Sequence, residues 1–190
     1  MNDFHIIIPL QKTGEGQLTG IASTTSVDRD DEKMSREALQ MMVDEIKSNG
    51  VNLFGNHEHQ WENTLGFIGD AQLVDNQVLI KATLDDASTN PKIPMLLNKM
   101  RKGIKLGLSV GGNVLHYDWE YNRELGKKIK VLDKVKIYEV SVVGIPSNAD
   151  SYLTVGAAIA KSAKLPNLKE CGLCLGQIQN GECSICLMKY

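Results

Sequence analysis

The chain has 190 residues, 42% of them hydrophobic and 23% charged, with a formal net charge of −2. That is the composition of a soluble globular domain carrying an appendage, and the balanced charge argues against a nucleic-acid or membrane-surface protein. No apolar run approaches the roughly 20 residues of a membrane span, and Met1-Asn2-Asp3-Phe4-His5 lacks the basic start of a secretory signal, so a cytosolic setting is expected.

Taken in order, Phe4 to Leu10 reads as a strand, Gly14 and Gly16 as a turn, and Leu18 to Thr25 as a second strand. The acidic stretch Asp28-Arg29-Asp30-Asp31-Glu32 reads as a solvated loop. It is not a calcium loop, because Lys33 stands where the invariant glycine belongs. Ser35 is a good N-cap, and Leu39, Met42, Val43 and Ile46 then fall on one helical face that Asn49-Gly50 ends. Val51 to Phe54 is a short strand turned by Gly55-Asn56. His57 and His59 follow; two apart on a strand-like segment, they point the same way. Thr64 to Val74 and Gln77 to Leu84 alternate and meet at Asp75-Asn76, a hairpin signal.

After the break at Asn90-Pro91, Ile93, Leu96, Leu97 and Met100 repeat the helical spacing, with Pro94 tolerated in the first turn and Gly103 as the stop. From Ile104 to about Trp119 runs a strand containing Gly107-Leu108-Ser109-Val110-Gly111-Gly112. After the polar turn from Tyr121 to Gly126, Lys128 to Leu132 and Val135 to Ile145 read as two further strands. Ser151 to Lys161 reads as a short Ala-rich helix, and Leu165-Pro166-Asn167 as a linker. Strands that do not alternate regularly with helices argue for an antiparallel or mixed sheet closing into a barrel or sandwich. With only 5% aromatic residues, its core has to be aliphatic.

Ser109 is either a packed small polar residue or a nucleophile. The surrounding glycines let another backbone or a substrate approach closely. A serine hydroxyl needs a base, and the base needs a third group to fix its tautomer. His57 is the candidate base. Glu139 lies inside the apolar run Tyr138-Glu139-Val140-Ser141-Val142-Val143, where a carboxylate is costly unless paired, and a histidine would suit it. The alternatives are a structural serine, an exposed histidine, and a Glu139 that faces solvent or pairs with Lys130 or Lys136 across a hairpin.

All four cysteines fall in the last twenty residues, as Cys171-Gly172-Leu173-Cys174 and Cys183-Ser184-Ile185-Cys186. Two Cys-x-x-Cys pairs separated by Gly176 and Asn180-Gly181 form the donor pattern of a compact zinc ribbon or knuckle, a unit too small to fold without a staple. Disulfides are the rival, disfavoured by a cytosolic setting. The runs Lys99, Arg101, Lys102, Lys105 and Lys127 to Lys136 read as solvated faces.

Three stretches in order carry a resemblance. They are Asn56-His57 followed by Gly66-Phe67-Ile68-Gly69, then Gly107-Leu108-Ser109-Val110-Gly111-Gly112, then Glu139-Val140-Ser141-Val142-Val143 with Pro146-Ser147-Asn148-Ala149. Together with Gly20-Ile21-Ala22-Ser23-Thr24 and Asp28-Arg29-Asp30, over about residues 15–155, they resemble the prohead (capsid maturation) serine proteases of tailed bacteriophages. Ser147 departs from the alanine common there. The resemblance implies a herpesvirus-assemblin-like, mainly antiparallel β-barrel flanked by a few helices, a mixed α+β class. Here residues 1–160 would form that domain and 161–190 a small zinc-ribbon-like module built on the four cysteines.

The same resemblance implies Ser109 as nucleophile and His57 as general base, with Glu139 the acidic member. His59 is a competitor for His57, or a third triad member as in the Ser-His-His set of the herpesvirus relatives. Backbone N–H groups from Val110 to Gly112 are candidate oxyanion donors. The substrates implied are scaffold and major capsid proteins, and the chain itself, inside the immature capsid in the host cytoplasm, with a homo-oligomer open. The cysteine module departs from the usual family pattern. It could grip scaffold or shell protein, or tether the enzyme until self-cleavage. The rival readings are a catalytically inactive capsid-assembly or scaffold protein and a zinc-ribbon nucleic-acid-binding protein.

Overall fold

A computed structural model describes residues 16–154, together with the backbone of 178–179 and 182–183. Along the chain come β1 (Gln17–Thr24), β2 (Glu32–Met34), α1 (Arg36–Asn49), β3 (Val51–Gly55), β4 (Thr64–Val74), β5 (Gln77–Leu84), α2 (Lys92–Arg101), β6 (Gly107–Asn122), β7 (Lys127–Val143) and β8 (Leu153–Thr154). One sheet runs β2-β7-β3-β4-β5-β1-β8, with β6 also paired to β7. Most neighbours are antiparallel, as expected, but β2 and β3 both run parallel to β7.

The sheet curls into a half-barrel whose ends come together over a short seam. Ile21 N–H donates to Tyr152 O, Leu108 N–H to Ser151 O, and Leu153 N–H to Leu106 O, at 3.2, 3.3 and 3.0 Å. Residues 151–153 thus stitch β1 to the start of β6, and residues 151–154 are extended rather than the opening of a helix. Pairing with two strand edges outweighs the helical preference of the alanines further on; residues 155–161 lie outside the described residues. Just before the seam, Asn148 Nδ2 donates to Thr24 Oγ1 at 3.0 Å and Arg29 N–H to Ser147 O at 3.0 Å.

Helix α1 forms as its pattern requires. Ser35 Oγ accepts the Ala38 N–H at 3.1 Å, and Gly50 ends the helix at φ 65° with its N–H on Ile46 O. A β-carbon at Gly50 would lie 2.0 Å from the Phe67 ring, so the stop needs glycine for space as well as for dihedral. Leu39, Met42, Val43 and Ile46 are each at most 2% exposed and pack on the sheet with Leu18, Leu53, Ile68, Val78, Leu108 and Val140. Ile93 and Leu96 of α2 join the same core. It is aliphatic almost throughout, Phe54 being the one buried aromatic among the described residues.

Strand β7 departs from the reading in two strands. It is continuous, because Asp133 and Tyr138 are accommodated as extra residues rather than breaks. His116 pairs with Lys134 and Tyr117 with Leu132; Gly111 pairs with Glu139 and Gly112 with Ile137. Each extra residue switches which face the following side chains occupy. The core accordingly takes Leu132, then Val135 and Ile137, then Val140 and Val142. The acidic loop is also less solvated than expected. Asp28 is half-buried, and Lys127 and Lys130 pair with Asp31 and Glu32 at 2.5 and 2.8 Å.

The described residues include no helix long and apolar enough to cross a membrane. The expected first strand, residues 4–10, and nearly all of the 161–190 module lie outside them. Within the module, Ile178–Gln179 (β9) and Glu182–Cys183 (β10) pair antiparallel across residues 180–181.

Candidate active site

The site begins with the Tyr138 bulge. With Val140 and Val142 turned to the core, Glu139 and Ser141 face the other side of β7. Both are nonetheless buried, Glu139 to 2% exposure and Ser141 to 0%. Strand β6 brings Ser109 opposite Ser141 and Gly111 opposite Glu139. By strand alternation these four positions share one face. Gly111 had been expected to admit a substrate or a second backbone. Its open space instead goes to Glu139: a β-carbon at 111 would sit 2.2 Å from Glu139 Oε1.

On the other side of β7, β3 lies parallel, with Phe54 beside Ser141 and Gly55 beside Val142. The turn expected at Gly55-Asn56 is present, but the chain does not then resume as a strand at the histidines, contrary to the sequence reading. Asn56 and His57 are both left-handed, at φ 54° and 58°. Two such non-glycine residues in succession are costly, and persist where surrounding bonds over-determine them. Here Asn56 N–H donates to Val142 O at 2.9 Å, His57 N–H to Ser141 Oγ at 3.1 Å, and Glu58 N–H to Gly55 O at 3.1 Å. This tight turn throws the His57 ring back over β7, where Nδ1 lies 2.6 Å from Glu139 Oε1.

Ser141 completes the arrangement. Its hydroxyl donates to Glu139 Oε2 at 2.7 Å while accepting the His57 N–H. One buried side chain therefore holds both the carboxylate and the turn that carries the imidazole. Sequence reasoning missed it. The available signal was a second polar residue two positions from Glu139 in an otherwise apolar run.

His59 Nε2 lies 3.6 Å from the same Glu139 Oε1, its ring 5.5 Å from that of Phe54. The structure therefore brings together His57, Glu139, His59 and Ser141. Glu139 is not paired with Lys130, which binds Glu32, and Lys136 lies over the Tyr138 ring instead. Ser109 is half-buried on the flanking strand and makes no hydrogen bond with His57. Chemically, Glu139 can fix one imidazole tautomer by accepting the Nδ1 proton. That leaves Nε2 as the basic nitrogen.

A family model described as "Caudovirus prohead serine protease" matches residues 11–165. The prohead protease of Escherichia phage T5 is 25% identical over 142 residues, 74% of this chain. The chain spans 62% of the length of that curated relative. Among solved structures, the capsid assembly protease of bacteriophage T4 is similar in fold, with a TM-score of 0.53 at 16% identity, covering 72% of this chain and 87% of that one. The protease of KSHV, solved with a hexapeptide phosphonate inhibitor, gives a TM-score of 0.44 at 12% identity, over 73% of this chain and 63% of that one.

Proposed function

As the chain belongs to the caudovirus prohead serine protease family, we propose that it is a serine endopeptidase of capsid maturation, with Ser109 as nucleophile, His57 as general base and Glu139 as the group that orients the base. The observation that carries this reading is the 2.6 Å contact between His57 Nδ1 and a carboxylate that is almost wholly buried. A buried carboxylate on one imidazole nitrogen is what a base needs to present the other nitrogen to a hydroxyl. The same contact favours Glu139 over His59 as the orienting residue.

In the proposed reaction, Ser109 Oγ attacks the peptide carbonyl while His57 Nε2 takes its proton. Glu139 stabilises the imidazolium, and the proton passes to the leaving amine. Water then releases the acyl group by the reverse sequence. Ser109 and His57 stand on opposite flanks of β7, so this step requires the half-exposed His57 ring to swing toward β6 or substrate to draw the two together. Catalytic hydrogen bonds often tighten only in the substrate complex.

The substrates proposed are scaffold and major capsid proteins, and the chain itself, inside the prohead. Cys171, Cys174, Cys183 and Cys186 are proposed to hold one structural Zn2+, on the strength of their spacing and of the short β9–β10 pairing between the two pairs. Metal analysis of the purified chain beside a Cys171→Ser/Cys174→Ser variant tests it: near-equal zinc in both would remove the site.

The function is tested by co-expressing scaffold with wild-type chain or with Ser109→Ala and weighing the products by mass spectrometry. Cleavage by wild type alone is expected. Processing by the Ser109→Ala chain would exclude Ser109 as nucleophile. The missing Ser109–His57 hydrogen bond favours one alternative, an inactive assembly protein on the same fold; intact scaffold with wild-type chain would support it.

A further inference from the structure

The proposed catalysis uses His57 and Glu139 and leaves His59 without a part, although its ring nitrogen is 3.6 Å from the carboxylate oxygen that His57 binds. One donor atom from each of His57, His59 and Glu139 lies within 4.8 Å of the other two. Two imidazoles and one carboxylate are a donor set that suits borderline divalent cations, and that oxygen-seeking Mg2+ and Ca2+ do not prefer. Glu139 is at the bottom, 3% exposed in its side chain, while His57 and His59 are open to solvent at 39% and 63%. A buried carboxylate beneath two exposed imidazoles gives a cation a fixed anionic floor and a path of entry.

We propose that His57, His59 and Glu139 form a binding site for a zinc-type divalent cation, and that its occupancy reversibly switches the peptidase site off.

Two of the three donor pairs are within about 1 Å of the spacing a zinc needs, and the third, His57 with His59, lies within 4.8 Å. Ligand atoms around a tetrahedral zinc lie about 3.3 Å apart, given bond lengths of about 2.0–2.2 Å. The His59–Glu139 pair, at 3.6 Å, is already at that spacing. The His57–Glu139 pair, at 2.6 Å, has to open by the turn of one half-exposed ring. The fourth position is left to water. Binding breaks the Nδ1–H bond of His57 and forms the Nδ1–metal bond, and the displaced proton is taken up through solvent by the bare Nε2, with no net proton release and no change of oxidation state. The proton that stays on the ring is then on Nε2, the nitrogen that must be bare to accept the Ser109 proton. A metal at this site therefore blocks the base by fixing the wrong tautomer.

The inhibition part rests on the proposed role of His57; the binding part does not. The test keeps them apart. Peptidase activity of the full chain is followed against added Zn2+, then against excess chelator, in wild type and in His59→Gln, each relative to its own metal-free rate. Inhibition of wild type that the chelator reverses is expected. Its midpoint should rise at least about tenfold in His59→Gln, since even indirect partners of a metal ligand are worth that much. Mg2+ at the same concentration should not inhibit.

In parallel, Co2+ is titrated into Ser109→Ala and Ser109→Ala/His59→Gln, and its visible absorption is recorded. Cobalt on nitrogen and oxygen ligands lacks the thiolate charge-transfer bands that the cysteine tail would give, so the two sites are told apart. A thiolate-free band that weakens in the double variant is expected. Equal inhibition in wild type and His59→Gln, no inhibition at all, or equal cobalt spectra would overturn the proposal. A cobalt signal that depends on His59, in a chain whose wild type cleaves nothing, would sustain the site while failing the peptidase reading.

Discussion

Gly111 and Glu139 face each other across two strands, and the carboxylate fills the volume that any side chain at 111 would claim. The small residue is therefore a condition for the acid, and changes at the two positions should behave as one lesion. In Gly111→Ala the new β-carbon meets Glu139 Oε1 at 2.2 Å and has to push it off His57. Overpacking of this kind costs about 1–3 kcal/mol. The proposed base would lose its orienting partner at the same time. Gly111→Ala and Glu139→Gln should each lower kcat by about 10²–10⁴-fold, the range for loss of a general base or its orienting group. A double variant no worse than the worse single one would show that they act through one group. Single-turnover cleavage of a purified substrate reads this out.

Ser141→Ala removes the donor to Glu139 Oε2 and the acceptor of the His57 N–H together. Buried groups left unsatisfied cost about 1–3 kcal/mol each, and more where one is charged. Denaturant unfolding should show a loss at the upper end of that range or beyond. The proton shared by His57 and Glu139 should also lose its sharp downfield NMR signal. A comparably buried serine away from the site, Ser23, whose hydroxyl among the described residues meets the Met34 sulfur at 3.6 Å, should cost less in Ser23→Ala and leave that signal in place.

Asp28 offers a pH test of the loop that leads into β2. Burial holds its carboxyl above the ordinary value of 3.8, against the opposing pull of the Glu32 and Asp30 backbone N–H groups. A raised folded-state value means that the folded chain binds this proton more tightly than the unfolded chain. The contribution is therefore fully favourable below pH 3.8 and is lost as pH rises through the folded-state value. Asn in its place can still accept both backbone bonds at Oδ1, each 2.9 Å long, without a charge to bury. Relative to wild type, Asp28→Asn should gain thermal stability as pH climbs through that window. A parallel pair of Tm–pH curves would refute it.

Met42→Ala opens a cavity at a fully buried point of α1, facing the sheet. A loss of about 2–5 kcal/mol is expected from chemical denaturation.

Particular residues show what could be read from the chain and why. The face of α1 was legible residue by residue, because spacing at Leu39, Met42, Val43 and Ile46 and caps at Ser35 and Gly50 are local signals. So was the hairpin at Asp75-Asn76, where β4 and β5 pair from Val74 and Gln77 outward. Ser109 and Glu139 could be singled out because a serine among glycines, or a carboxylate in an apolar run, is conspicuous in one dimension, and His57 because it is one of two histidines two residues apart. The turn itself was legible at Gly55-Asn56, but its extension through His57 was not, since the left-handed dihedrals of Asn56 and His57 are imposed by bonds to β7, more than eighty residues on. The seam at 151–153 was missed for the same reason: its partners are β1 and β6, and nothing local marks an extended segment there.

Strand β7 reads in three successive frames, shifted at Asp133 and again at Tyr138. Its length between those points is thus part of its meaning. Removing Tyr138 alone, an exposed residue whose side chain the core never touches, would set Glu139 and Ser141 against the core and turn Val140 and Val142 out of it. Substitutions at 138 should be absorbed easily, whereas a one-codon deletion there should be ruinous. The polar turn near 122–127, where no frame has to be kept, should tolerate added or lost residues.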